Sequence, residues 1–229
     1  METVSFPPTH AAERHWQVTA AFFSSAIGST EAVANVVLRL YRHDPDSLYH
    51  LQRVAQLAGV IADEMGQTPD QLAQLEQAAL LHDLGRLILA DGSGMSLGAA
   101  TSHLATVTMR QRVQQVRLVT EAVADLPYLR PAAELIEASL ECFDGSGFPR
   151  GLRGHDIPLG ARILAVADTV DALTSVCLAL QCAPDVAARE IVQRTGERFD
   201  PEVVQAWLRA VGTPALMTPA VGPPAHRMH

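Results

Sequence analysis

Two stretches of this chain concentrate residues able to do metal-assisted chemistry on a phosphate ester. The first is Ala78-Ala79-Leu80-Leu81-His82-Asp83-Leu84-Gly85-Arg86, an apolar run that ends in an adjacent histidine and aspartate. The second is Asp144-Gly145-Ser146-Gly147-Phe148-Pro149-Arg150-Gly151-Leu152, followed by Ala167-Asp168-Thr169-Val170-Asp171-Ala172. One neutral nitrogen beside one anionic oxygen suits a hard or borderline divalent ion, and such an ion activates water. Asp168 sits among Leu164, Ala165, Val166, Ala167 and Val170, where an unpaired carboxylate is costly to bury. A metal, an arginine or a hydroxyl must satisfy it, and an ion shared with His82 is the economical answer.

The elements that position these residues read as helices. Helical apolar spacing runs over 11–27 and 30–43, then from the turn at Asp44-Pro45-Asp46-Ser47 to about Gly66. Leu48, Leu51, Val54, Ala55, Ala58 and Ile61 share one face of that third helix. Thr68-Pro69-Asp70 starts the next, with Thr68 as N-cap and Pro69 at the first position, and it ends at His82-Asp83. Further helices are expected at 101–125, 130–142, 158–175, 184–194 and 201–211. The Gly- and Ser-rich 91–98 stretch is a loop, and 144–158, with its glycines and prolines, is an ordered connection. No alternating run suggests a sheet, so the fold class expected is all-α.

Composition narrows the function. A chain of 229 residues that is 48% apolar can bury a substantial core. A net charge of −8 argues against a nucleic-acid or anionic-lipid surface, so an anionic ligand needs a local cluster of arginines. Cys142, Cys177 and Cys182 are odd in number and irregularly spaced, which fits neither a disulfide framework nor a zinc knuckle. The apolar patch 18–27 is too short to span a bilayer. A cytoplasmic protein with no membrane or nucleic-acid partner is expected.

With these residues in hand, the chain resembles the HD-GYP group of the HD superfamily of metal-dependent phosphohydrolases, over about 49–208. Tyr49-His50-Leu51-Gln52-Arg53-Val54-Ala55 looks like the family's opening helix with its first metal histidine. His82-Asp83-Leu84-Gly85-Arg86 looks like the HD-x-G-K signature with arginine for lysine. Glu141 to Leu152 follows the E-x-x-D-G-x-G-Y-P-x-G-L element, with Phe148 for tyrosine. Ile157 to Asp168 and Arg198-Phe199-Asp200-Pro201 continue the match. The resemblance implies an HD-domain helical bundle at 47–211, with an N-terminal helical extension at 1–46 and a flexible Pro-rich tail at 212–229.

It also implies a site. His50, His82, Asp83 and Asp168 are the expected ligands of one divalent ion (Mn, Fe or Zn), with Asp83 and Arg86 as catalytic residues. Arg86, Arg150 and Arg162 are the candidate ligand-binding cations. Glu141, Asp144, Gly145, Gly147, Phe148 and Pro149 form the motif loop. Asp46, one turn before His50, is assigned as a helix cap in preference to a further ligand, and His103 and His155 as surface residues. The family's paired histidines before the glutamate are here Ser139 and Leu140, and its histidine on the preceding long helix aligns near Gln115. Its basic segment after Ser175, which contacts ligand phosphates, is here Val176-Cys177-Leu178-Ala179.

Two functions follow as expectations. One is a degenerate HD-GYP-type domain in cyclic di-GMP-related signalling, acting by binding a protein partner or nucleotide with weak or no phosphodiesterase activity. The other is a metal-dependent phosphohydrolase with a reduced one-metal site. The expected partners are cyclic di-GMP or another nucleotide and a signalling protein, with a homodimer as one arrangement.

Overall fold

Seven helices make up the computed structural model, which describes residues 45–85, 109–179 and 185–212. In chain order these are α1 (Pro45–Glu64), α2 (Pro69–Leu81), α3 (Met109–Ala122), α4 (Arg130–Ala138), α5 (Leu159–Ala179), α6 (Asp185–Gln193) and α7 (Pro201–Ala210). There is no strand among the described residues, and the all-α expectation holds. The expected helices before residue 44, the 91–98 loop, Arg86, the side chain of Asp46 and the tail from 213 lie outside the described residues.

Helix α1 packs against α2, α5 and α7, while α4 lies against α2, α3 and α5. Leu51, Val54, Ala55, Ala58 and Ile61 turn inward from α1, as their spacing predicts. Small residues let the axes approach: Ala58, Ala62, Ala78, Ala79, Ala132 and Ala167 are fully enclosed. Thr68 closes a capping box on α2, accepting from the Gln71 backbone N–H while the Gln71 side chain accepts from Thr68 N.

Three boundaries differ from the sequence reading by three residues or more, one of them the end of α3 at Ala122 rather than at 125; residues 101–108 of that expected helix lie outside the described residues. Helix α4 stops at Ala138 rather than at residue 142, because the chain turns there to dock the motif loop. Helix α5 runs on to Ala179 past residue 175. At Gly85 the chain comes so close to α3 that an added Cβ would lie 1.9 Å from the Gln115 carbonyl oxygen. Only glycine permits that approach, and it sets α3 beside the His82-Asp83 end of α2.

Candidate metal centre and anion pocket

His50 and His82 project from neighbouring helices with their rings 5.4 Å apart, edge to face. The outer nitrogen of each is committed. His50 Nδ1 lies 2.7 Å from Asp171 Oδ2, and His82 Nδ1 lies 2.8 Å from the Ala79 carbonyl oxygen. A carboxylate and a carbonyl only accept, so both Nδ1 atoms carry the proton and both Nε2 atoms are left for a ligand. Asp171 is itself held by Arg53, through Nε at 2.6 Å and Nη2 at 3.0 Å. This bidentate clamp, with His50, keeps Asp171 below the ordinary carboxylate range despite its burial.

The two Nε2 atoms face two carboxylates. His50 Nε2 is 3.9 Å from Asp83 Oδ2 and 3.5 Å from Asp168 Oδ1, and His82 Nε2 is also 3.5 Å from Asp168 Oδ1. His50, His82 and Asp83 offer ligand atoms all within 4.8 Å of one another. Asp168 falls outside that mutual set, yet it touches both imidazoles at equal distance. Two ligand atoms held at about 2.1 Å by one ion at tetrahedral angles stand roughly 3.4 Å apart. These spacings therefore fit a shared divalent ion. His82 Nε2 supplies a second sign: it is buried and has no hydrogen bond. A buried polar atom of that kind calls for a partner.

Electrostatics points the same way. Burial alone would lower His82, but the Asp168 and Asp83 carboxylates outweigh it and push its pKa up to about 9. Burial would raise Asp168, and His82, His50 and Arg112 instead hold it far below the carboxylate range. The two carboxylates thus raise the proton affinity of His82 at a place where a divalent cation would serve.

The motif loop is built around Glu141, which is buried and accepts the Arg150 backbone N–H at Oε1, 2.7 Å away. Asp144 Oδ1 accepts from the backbone N–H and the hydroxyl of Ser146, and those bonds lower its pKa. Gly147 lies flat on the chain it folds over, since a Cβ there would sit 2.1 Å from Cys142 N. Gly145 takes φ +86°, Phe148 is half exposed and Phe148-Pro149 is a cis peptide.

The cations expected to bind a ligand are arranged differently. Arg162 is engaged by the Ile157 carbonyl at 2.8 Å and by the Asp200 carboxylate, so it is an internal strut rather than a ligand contact. The Arg150 side chain is exposed on the loop. The arginines that do approach the centre are Arg112, Arg194 and Arg198, which line a cavity of about 320 Å³ together with Asp168 and Leu140. Sequence reasoning missed these three, and also Asp171 and Arg53 as the support of His50. A second grouping, His155, Asp200 and Glu202, is a structural node: Asp200 caps α7 through the Glu202 backbone N–H and holds Arg162.

Two of the positions that the resemblance would furnish with histidines carry no imidazole here. Leu140 forms part of the cavity wall, and the Ser139 hydroxyl donates to the Ile136 carbonyl at 2.8 Å.

Comparisons with known proteins bear on the family and the fold. The sequence profile described as HD domain matches residues 36–203. A cyclic di-GMP phosphodiesterase of Thermotoga maritima is 34% identical over 174 residues, covering 76% of this chain and 46% of that protein. The cyclic di-GMP phosphodiesterase response regulator RpfG of Xanthomonas campestris is 31% identical over 180 residues, covering 78% and 47%. A crystal structure of a cyclic GMP-AMP-specific phosphodiesterase from V. cholerae superposes with a TM-score of 0.55 at 20% identity, covering 73% of this chain and 45% of that one. That likeness speaks for the fold alone. The chain spans under half the length of each of these relatives.

Proposed function

Because the chain belongs to the HD domain family, in its HD-GYP type, we propose that it binds a cyclic dinucleotide or related nucleotide at a one-metal site. Hydrolysis there is weak or absent. One observation carries this reading: His50, His82, Asp83 and Asp168 lie near one another, while Ser139 and Leu140 supply no imidazole. A divalent ion in such a set polarises a phosphoryl oxygen and makes water acidic, and a second ion stabilises the leaving oxygen. With ligands for one ion among the described residues, the part of that stabilisation owed to a second ion is missing.

The residues' own tasks follow from their contacts. Asp171 and the Ala79 carbonyl hold the proton at Nδ1, so His50 and, once its second proton is lost, His82 turn Nε2 toward an ion. Asp83 and Asp168 supply the negative charge that balances a cation. Arg112, 3.9 Å from the far oxygen of Asp168, places positive charge where a phosphate would lie. A signalling protein is the partner in this reading, with the half-exposed Phe148 loop as its contact and a homodimer as one arrangement.

The intact ligand quartet favours a second reading, a phosphohydrolase acting with one ion on a smaller ester. Incubating the purified protein with Mn²⁺ and either cyclic di-GMP or 5′-GMP separates the two. Saturable binding of cyclic di-GMP with no product supports the first reading. Release of phosphate from 5′-GMP that vanishes in Asp83→Asn supports the second.

A further inference from the structure

We infer that Arg112, Arg194 and Arg198 form a phosphate clamp beside the metal ligands, sized for a single nucleotide carrying a terminal phosphomonoester. The inference rests on the reading of this site as a nucleotide-handling metal centre and, of the ligands that reading allows, takes the related mononucleotide over the cyclic dinucleotide. The three arginines come from separate elements: Arg112 from α3, Arg194 just past the end of α6, and Arg198 from the turn before α7. They converge on one cavity whose remaining wall includes Asp168, Leu140 and Leu173.

Arg198 is the decisive member. Its side chain is partly buried, and among the described residues no carboxylate lies within ion-pair distance of its guanidinium. Its guanidinium lies over the Phe199 ring, 5.4 Å from the centroid. Burial and the like charges of Arg112 and Arg194 hold it below the ordinary arginine value, with Cys142 and Asp168 only partly opposing. Arg112 has Asp168 at 3.9 Å, whereas Arg198 has no such carboxylate among the described residues, and a partly buried cation so placed beside two others is a cost that an anion removes. Arg194 keeps one neighbour, Glu190 at 2.7 Å, on its exposed side.

Charge and volume select the ligand class. With Asp168 balanced by an ion, the three guanidiniums face a pocket whose natural complement is a dianionic phosphomonoester; each phosphate of a cyclic diester carries a single charge. About 320 Å³ lies at the small end of ligand pockets, which span roughly 300–1,000 Å³. The Thr169 hydroxyl on its wall already donates to the Ala165 carbonyl, so the wall reads charge and apolar shape more than base edges.

The test is calorimetric titration of 5′-GMP and cyclic di-GMP into the Mn²⁺-treated full chain and into R198Q, R194Q and R112Q. The clamp predicts that 5′-GMP binds more tightly than cyclic di-GMP. It predicts at least tenfold weaker 5′-GMP binding in R198Q and about threefold in R194Q, with Mn²⁺ content unchanged. Arg194 is exposed, so R194Q keeps the test valid if R198Q fails to fold. Unchanged 5′-GMP affinity in R198Q or, failing that variant, in R194Q overturns the clamp, as does tighter binding of cyclic di-GMP. If the wild type binds no Mn²⁺ but its 5′-GMP affinity still depends on these arginines, the metal reading fails and the clamp stands.

Discussion

Asp171 Oδ2 lies 2.7 Å from His50 Nδ1 across 121 positions of sequence, joining α5 to α1 at the edge of the metal centre. The pair orients the imidazole before any ion arrives. Arg53 holds the far side of the same carboxylate, so tautomer, ring angle and charge are set by one buried chain of contacts. Replacing Asp171 with Asn keeps the shape but lets the ring choose the other tautomer. D171N is therefore expected to lower Mn²⁺ affinity about 10–100-fold while leaving the helical circular dichroism spectrum intact.

Metal affinity should rise with pH. His82 in the metal-free protein titrates at about 9, so below that pH an incoming ion must displace a proton. The apparent association constant for Mn²⁺ is expected to climb roughly tenfold per pH unit below 9 and to level above it. Competition titrations at pH 6.5, 7.5 and 8.5 measure that slope.

The same group gives the metal-free fold a pH dependence of known sign. The folded pKa of His82 is raised above its ordinary 6.5, so its stabilising contribution is complete below 6.5 and is lost as pH rises through about 9. Asp171 runs the other way: its pKa is depressed, so its contribution is present above the ordinary carboxylate range and is lost as pH falls through the folded value. Urea denaturation of chelator-treated protein should show a smaller loss of stability between pH 6.5 and 9 in His82→Gln than in the wild type.

Gly85→Ala should break the contact that brings α3 to the site. Its Cβ would meet the Gln115 carbonyl oxygen at 1.9 Å, and backbone cannot yield as a flexible side chain can. The expected cost is about 1–3 kcal/mol or more, read from the urea midpoint. Nucleotide affinity should fall with it, because Arg112 rides on the displaced helix.

Restoring histidines at the two altered positions should change the stoichiometry. Leu140 lies on the cavity wall and Ser139 at the end of α4, so S139H/L140H adds imidazoles beside the existing set. An increase from one to two tight Mn²⁺ per chain, with faster cyclic di-GMP hydrolysis, is the expected outcome of a metal titration and a product assay.

Much of this architecture was legible in the residues. Thr68-Pro69 marked the start of α2 because capping chemistry is local, and Leu51 to Ile61 marked the buried face of α1 because the helical repeat is fixed. The candidate ligands could be named from the His82-Asp83 pair and from the resemblance. The supporting shell could not. Arg198 and Arg112 are surface-type residues in any local pattern, and only the close approach at Gly85 and the fold of the chain around α5 bring them to one cavity. Arg162 misled for the same reason: its partners, Ile157 and Asp200, are set by tertiary packing.

The central claim is that this site grips one divalent ion. Titrating chelator-stripped protein with Mn²⁺, and following the free ion by electron paramagnetic resonance, tests it directly. The account predicts one tight equivalent per chain, abolished in Asp168→Ala and in His82→Ala. Two tight equivalents with a spin-coupled signal, or no tight equivalent at all, would contradict it.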